Sequence, residues 1–176
     1  ALAILLAALT RPPGVVPPGV PRTRRERLQA RLPSWLPIAI LLELKDDRLT
    51  FGPQPAAEPE PWNATGLDEL DAEIRSVFDP EDLVTPDDVR GTRSSLATAV
   101  TTDGWPTLAE SRGKVLFLMD NSGTLRSTYL AGHPALAGRP IFTNATPGAA
   151  DAAFIERNDP FDASIPDLVR AGYVVR

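Results

Sequence analysis

Pro37-Ile38-Ala39-Ile40-Leu41-Leu42-Glu43-Leu44-Lys45-Asp46-Asp47 is the stretch on which the fold turns. An unbroken apolar run, Ile38 to Leu42, follows a proline and passes directly into charge. That pattern predicts a strand covered on both faces, as in parallel sheets, rather than a half-wet strand with alternating polarity. In barrels of parallel strands the carboxyl end of each strand carries the chemistry, which places Glu43, Lys45, Asp46 and Asp47 where function is expected.

Working outward toward the carboxyl end, residues 48 to 65 are rich in Pro and Glu and read as a long excursion. Leu67, Leu70, Ile74 and Val77 then recur at helical spacing over Gly66 to Phe78, with Asp68 and Glu69 suited to a first turn. Thr85-Pro86-Asp87-Asp88 reads as a cap followed by proline at the first helical position. Short helices are expected at Leu96 to Val100 and Thr107 to Glu110. Further strands are expected at Lys114 to Met119, Pro140 to Thr143 and Gly172 to Val175, with helices at Leu125 to Leu130, Ala149 to Glu156 and Ile165 to Ala171. Strands alternating with helices imply parallel pairing through right-handed crossovers. The expected fold class is therefore α/β: a TIM-type β/α barrel, incomplete because four strands do not close eight, and cut at both ends.

Residues 1 to 36 differ in character. Ala1 to Leu9 is apolar like the core of a signal peptide, but no basic segment precedes it and it is too short to span a bilayer. Arg11-Pro12-Pro13-Gly14, Pro17-Pro18-Gly19 and the basic stretch Arg22 to Arg27 read as a poorly ordered segment, with one short helix over Arg24 to Leu32. The organisation expected is a segment 1–36 followed by one barrel-like unit, 37–176.

Composition excludes several classes. The 176 residues hold no cysteine, so disulfide frameworks, thiolate nucleophiles and zinc-thiolate sites are out. A net charge of -5 argues against a general nucleic-acid binder, which needs a concentrated basic face. An anionic phosphodiester would instead need a local positive pocket.

Residues 37 to 176 resemble the bacterial calcium-dependent phosphoinositide phospholipase C family. The strand of the opening paragraph is one matching piece, and Val84-Thr85-Pro86-Asp87-Asp88-Val89-Arg90-Gly91 is another. The others are Gly104-Trp105-Pro106-Thr107-Leu108-Ala109-Glu110, Arg112-Gly113-Lys114-Val115, Tyr129-Leu130-Ala131-Gly132-His133-Pro134, Ala153-Phe154-Ile155-Glu156-Arg157-Asn158-Asp159-Pro160 and Val169-Arg170-Ala171-Gly172-Tyr173-Val174-Val175-Arg176. Each is short; their joint order carries the match. The resemblance implies a distorted barrel that cleaves the phosphodiester of phosphatidylinositol with two histidines and calcium, in secreted proteins that meet a membrane surface transiently. It also implies that the histidines and most calcium ligands lie on strands before the matched stretch.

On that resemblance Glu43 looks like the calcium ligand of the family's fourth strand, and a carboxylate oxygen suits a hard cation. The alternative is an ion pair with Lys45. Lys45 shares a strand face with Glu43 and could neutralise a substrate phosphate. Asp120 and Asn121 close a strand and could bond inositol hydroxyls, although Asp120-Asn121-Ser122-Gly123 is equally good turn chemistry. Arg176 could reach an inositol phosphate. His133 is the only histidine, so a two-histidine mechanism cannot be assembled here and His133 reads as structural. Trp35, Trp62 and Trp105 are dispersed and read as packing anchors.

The leading expectation is a fragment of a phosphoinositide phospholipase C that turns over little or nothing. Three alternatives stand beside it: a noncatalytic headgroup-binding remnant, a fragment without function, and a related barrel acting on glycerophosphodiesters.

Overall fold

The computed structural model describes residues 36–45 and 61–176. Residues 1–35, with the expected Arg24 to Leu32 helix and Trp35, lie outside the described residues, as do Asp46, Asp47 and most of the Pro- and Glu-rich excursion.

Among the described residues the strands are β1 (Ile38–Leu42), β2 (Val115–Met119), β3 (Ile141–Thr143), β4 (Phe154–Ile155) and β5 (Val174–Val175). The helices are α1 (Ala64–Val77), α2 (Pro86–Arg90), α3 (Leu96–Thr102), α4 (Leu108–Ser111), α5 (Gly123–Leu130) and α6 (Ile165–Arg170). All strand pairs are parallel. β1, β2 and β3 form one sheet in the order β1-β2-β3, β4 pairs with β5, and a parallel bridge between Asn144 and Phe154 links the two sheets. An α/β arrangement with parallel strands is what the opening strand implied.

Helix formation follows local chemistry. α1 buries Leu67, Leu70, Ile74 and Val77 on one stripe, and the Asn63 side chain accepts from the Gly66 N–H. The helix begins two residues before Gly66, so Asp68 and Glu69 fall beyond its first turn. Asp68 binds Arg139 instead. At α2, Thr85 and Asp88 form a reciprocal capping box ahead of Pro86, and Thr107 and Glu110 do the same for α4.

The core fills the space between the strands and α1 and α3. Phe117 meets Phe78 edge-on at 5.5 Å, and Trp105 meets Phe142 at 5.1 Å while donating its indole N–H to the Gly172 carbonyl at 2.8 Å. Trp62 packs half-buried on the same core. Gly172 has φ +99, and a Cβ there would stand 2.2 Å from the Val100 carbonyl oxygen of α3. Only glycine serves where β5 is approached this closely.

A buried polar cluster ties α1 to α5. The Tyr129 hydroxyl donates to Asp71 at 2.6 Å, and Arg139 donates to Asp71 at 2.9 Å and to Asp68 at 2.6 Å while its guanidinium lies 4.4 Å from the Tyr129 ring centroid. Burial raises the proton affinity of Asp71 above the ordinary carboxylate range despite those donors, and burial beside Asp71 raises that of Tyr129.

Two expectations are corrected. The helix expected over Ala149 to Glu156 is a turn followed by β4, because Asp151 to Ile155 are all buried. The enclosed backbone is instead paired in parallel with β5, Phe154 with Val174 and Ile155 with Val175. Asp151 faces inward to Arg126 and Thr143. The strand β1 is not covered on both faces among the described residues: Ile38 and Ile40 are half-buried and Leu42 buried, but Ala39 and Leu41 are exposed. An apolar run thus marks a strand without fixing what covers its second face. Among the described residues no helix is long and apolar enough to cross a membrane.

Candidate functional site

The first residue past each strand is polar: Glu43 after β1, Asp120 after β2, Asn144 after β3, Glu156 after β4 and Arg176 after β5. Register makes this a ring rather than a coincidence of sequence. Leu42, Met119 and Thr143 are paired across three strands, so Glu43, Asp120 and Asn144 form the next row. Ile155 pairs with Val175, so Glu156 and Arg176 form the corresponding row on the other sheet. In a parallel α/β fold this is the face where ligands bind, because the strand ends open there and the loops are free to vary.

Side chains join the two rows. The Arg176 Nη1 donates to both oxygens of Asp120, at 3.0 and 3.2 Å, and to Glu156 Oε1 at 2.9 Å. Asn144 holds Glu156 twice: its Nδ2 donates to Glu156 Oε2 at 2.8 Å, and its Oδ1 accepts from the Glu156 backbone N–H at 3.1 Å. The same Nδ2 reaches the Asp120 carbonyl at 3.1 Å. Burial raises the proton affinity of Asp120, and the neighbouring Glu156 and Glu43 carboxylates add to the effect against the opposing pull of Arg176.

Where main-chain pairing between β1 and β2 runs out, a side chain continues it. Asp120 N–H donates to the Leu42 carbonyl at 2.8 Å, and beyond that Asn121 accepts from the Leu44 N–H at 2.8 Å and donates to the Leu44 carbonyl at 2.9 Å. Leu44 is thereby fixed with Glu43 and Lys45 pointing together away from it, joined by an ion pair of 2.5 Å and both more than half exposed.

Of the residues nominated from sequence, Asp120 and Arg176 are brought into contact. Glu43 and Lys45 form their own pair, with Glu43 in the same row as Asp120 and close enough to act electrostatically on it. The turn reading of Asp120-Asn121 gives way to cross-strand bonding by both side chains. Asn144 and Glu156 were not nominated. Glu156 was hidden by the helix expected over it, and Asn144 stood at a strand end, the one signal that could have flagged it. His133 donates through Nδ1 to the Ala137 carbonyl at 2.8 Å, in the loop before β3, away from the ring. It is a loop anchor.

Among the described residues no three or more His, Asp or Glu side chains gather so as to hold a metal ion. Calcium takes about six to eight oxygens. The described donors alone do not fit that demand: Arg176 lies between Asp120 and Glu156, and Glu43 is engaged by Lys45.

A parallel α/β unit with a polar strand-end ring is the class defined by this geometry. The family model described as "Phosphoinositide phospholipase C, Ca2+-dependent" matches residues 27–176, and the chain belongs to that family. A comparison with curated protein sequences gave no significant match. Among solved structures, a calcium-dependent phosphoinositol-specific phospholipase C from a Gram-negative Pseudomonas species, in apo form with a myoinositol complex, superposes with a TM-score of 0.59 at 16% identity, covering 86% of this chain and 56% of that one. A calcium-dependent phosphatidylinositol-specific phospholipase C from Streptomyces antibioticus gives 0.58 at 24% identity, covering 86% and 55%. At these identities the likeness speaks to fold, and the chain spans a little over half the length of those proteins.

Proposed function

We propose that these residues form the later strand-and-helix units of a phosphatidylinositol-cleaving phospholipase C barrel, and that the strand-end ring faces the inositol phosphate headgroup. The observation that carries the reading is the ring itself: among the described residues, five strands each followed at once by a polar side chain, in a chain of this family. Arg176 would donate to the headgroup phosphate, Asp120 would accept from ring hydroxyls, and Lys45 would add a second cation beside the phosphate. The Pseudomonas phospholipase C of the same fold is known as a myoinositol complex, which supports a polyol as the kind of ligand.

Calcium dependence belongs to the family. Glu43 is the carboxylate that the described residues would bring to the ion. Bound calcium would stabilise negative charge on the phosphodiester.

A second reading, headgroup binding without turnover, is favoured by His133. It is the sole histidine in the sequence and is committed to the Ala137 carbonyl, so these 176 residues offer no histidine pair for proton transfer. Both readings share the headgroup and part at hydrolysis.

The test follows release of inositol phosphate from phosphatidylinositol vesicles by the purified chain, with calcium and with chelator, alongside calorimetric binding of myo-inositol 1-phosphate. Calcium-dependent release supports the enzymatic reading. Binding without release supports the second, and neither in a folded sample overturns both.

A further inference from the structure

Glu156 is a carboxylate and offers an anion no attraction, yet it is firmly held in the ring. Asn144 grips it by backbone and by side chain, and its free oxygen meets Arg176. We infer that Glu156 is a positioning residue, held by Asn144, that with Asp120 aims the Arg176 guanidinium at a phosphate-type oxyanion entering the strand-end ring.

The geometry of Arg176 carries this. All three of its contacts to Asp120 and Glu156 are made by one nitrogen, Nη1. A guanidinium has five N–H groups, and those on Nη2 and Nε belong to none of these contacts. Anchoring one nitrogen between two carboxylates removes rotation about the long side chain and leaves the Nη2/Nε edge, the pair that matches two phosphate oxygens side by side, for a ligand. The Arg176 side chain is about half exposed, and its side-chain contacts in the ring all use Nη1. An arginine that met water alone would have to be ordered by its ligand, at a cost in affinity.

The inference makes a prediction opposite in sign to simple electrostatics. Deleting a carboxylate beside an anion site removes repulsion and should tighten anion binding several-fold by charge alone. If Glu156 acts by holding Arg176, deleting it loosens binding. The inference rests on the headgroup reading only for the identity of the anion.

The experiment is titration calorimetry on the full 176-residue chain with two probes, inorganic phosphate and myo-inositol 1-phosphate, for wild type, Glu156→Ala, Asn144→Ala, Arg176→Lys and the Glu156→Ala/Arg176→Lys double variant. Glu156→Ala is expected to weaken binding about tenfold, the scale of one charge-assisted hydrogen bond. Asn144→Ala leaves every charge in place and guards against a Glu156 variant that fails to fold; it is expected to weaken binding in the same direction. Arg176→Lys keeps the charge and loses the planar edge, and in that background Glu156→Ala is expected to add no further loss. Unchanged or tighter binding by folded Glu156→Ala, or no effect of Asn144→Ala, would overturn the inference, as would full additivity in the double variant. Wild type binding neither probe would overturn it too, leaving the headgroup reading to the hydrolysis assay. Equal affinity for both probes with the expected signs would support Glu156 as a positioning residue and remove the claim to an inositol headgroup.

Discussion

The side chain of Asn121 is bonded to Leu44 as a peptide unit would be, its amide oxygen accepting from the Leu44 N–H at 2.8 Å and its amide nitrogen donating to the Leu44 carbonyl at 2.9 Å. One residue thus extends the β1–β2 pairing past its last main-chain rung and settles where Glu43 and Lys45 stand. Asn121→Ala is expected to cost about 1–2 kcal/mol, two part-buried hydrogen bonds. More tellingly, it should speed hydrogen exchange at the Leu44 amide far more than at the Phe117 amide within β2. Uniform acceleration across the sheet would mean that Asn121 supports the whole fold rather than this segment.

Gly172 admits no side chain. With φ at +99 and the Val100 carbonyl oxygen 2.2 Å from where a Cβ would sit, Gly172→Ala must displace α3 or β5. A loss of about 2–4 kcal/mol in chemical denaturation is the expected outcome. A loss below ~1 kcal/mol, on the scale of an ordinary surface change, would show that this contact is easily relieved.

Asp71 supplies a pH signature. Burial raises its proton affinity in the folded state above that of the unfolded chain, where an aspartate titrates near ~4. The folded state therefore binds the proton more tightly, so this contribution to stability is complete below the unfolded value and is lost as pH rises through the folded one. Asp71→Asn removes the titration. Between about pH 4 and 7 the stability of the variant should fall less, or rise more, with pH than that of wild type, whatever the absolute loss from weakened bonds to Tyr129 and Arg139. Parallel pH profiles would place the proton elsewhere.

Glu43→Gln separates structure from ligand. The Glu43–Lys45 pair is more than half exposed on both sides, and such pairs contribute about 0–1 kcal/mol. Thermal stability without calcium should therefore barely move. If Glu43 reaches the ion, calcium affinity, read by calorimetry, should drop about tenfold or more for a lost carboxylate oxygen. Equal affinity in wild type and variant would remove Glu43 from the calcium shell.

The order of strands and helices was legible because burial leaves a linear trace: Ile38 to Leu42 and Val115 to Met119 read as apolar runs that stop at a polar residue, and Ile141-Phe142 leads into Thr143 and Asn144. Capping at Thr85 was equally local, requiring only residues within four positions of each other. β4 failed to show because two strand residues, Phe154 and Ile155, sit inside an Ala-rich stretch with a helical look. Their burial on both faces depends on neighbours far along the chain.

The candidate site divides along the same line. Sequence alone could say that Glu43, Asp120 and Arg176 follow strands, since each ends an apolar run, and the resemblance over residues 37 to 176 pointed to the family that the match over residues 27–176 established. It could not say that Arg176 would choose Asp120 and Glu156, separated from it by 56 and 20 positions, or that Asn144 would hold Glu156. Parallel pairing puts Glu156 beside Arg176 and Asn144 beside Glu156. Pairing aligns strand ends that the chain itself keeps apart by whole helices, and the approach of the two sheets then brings Asp120 of one row within reach of Arg176 in the other.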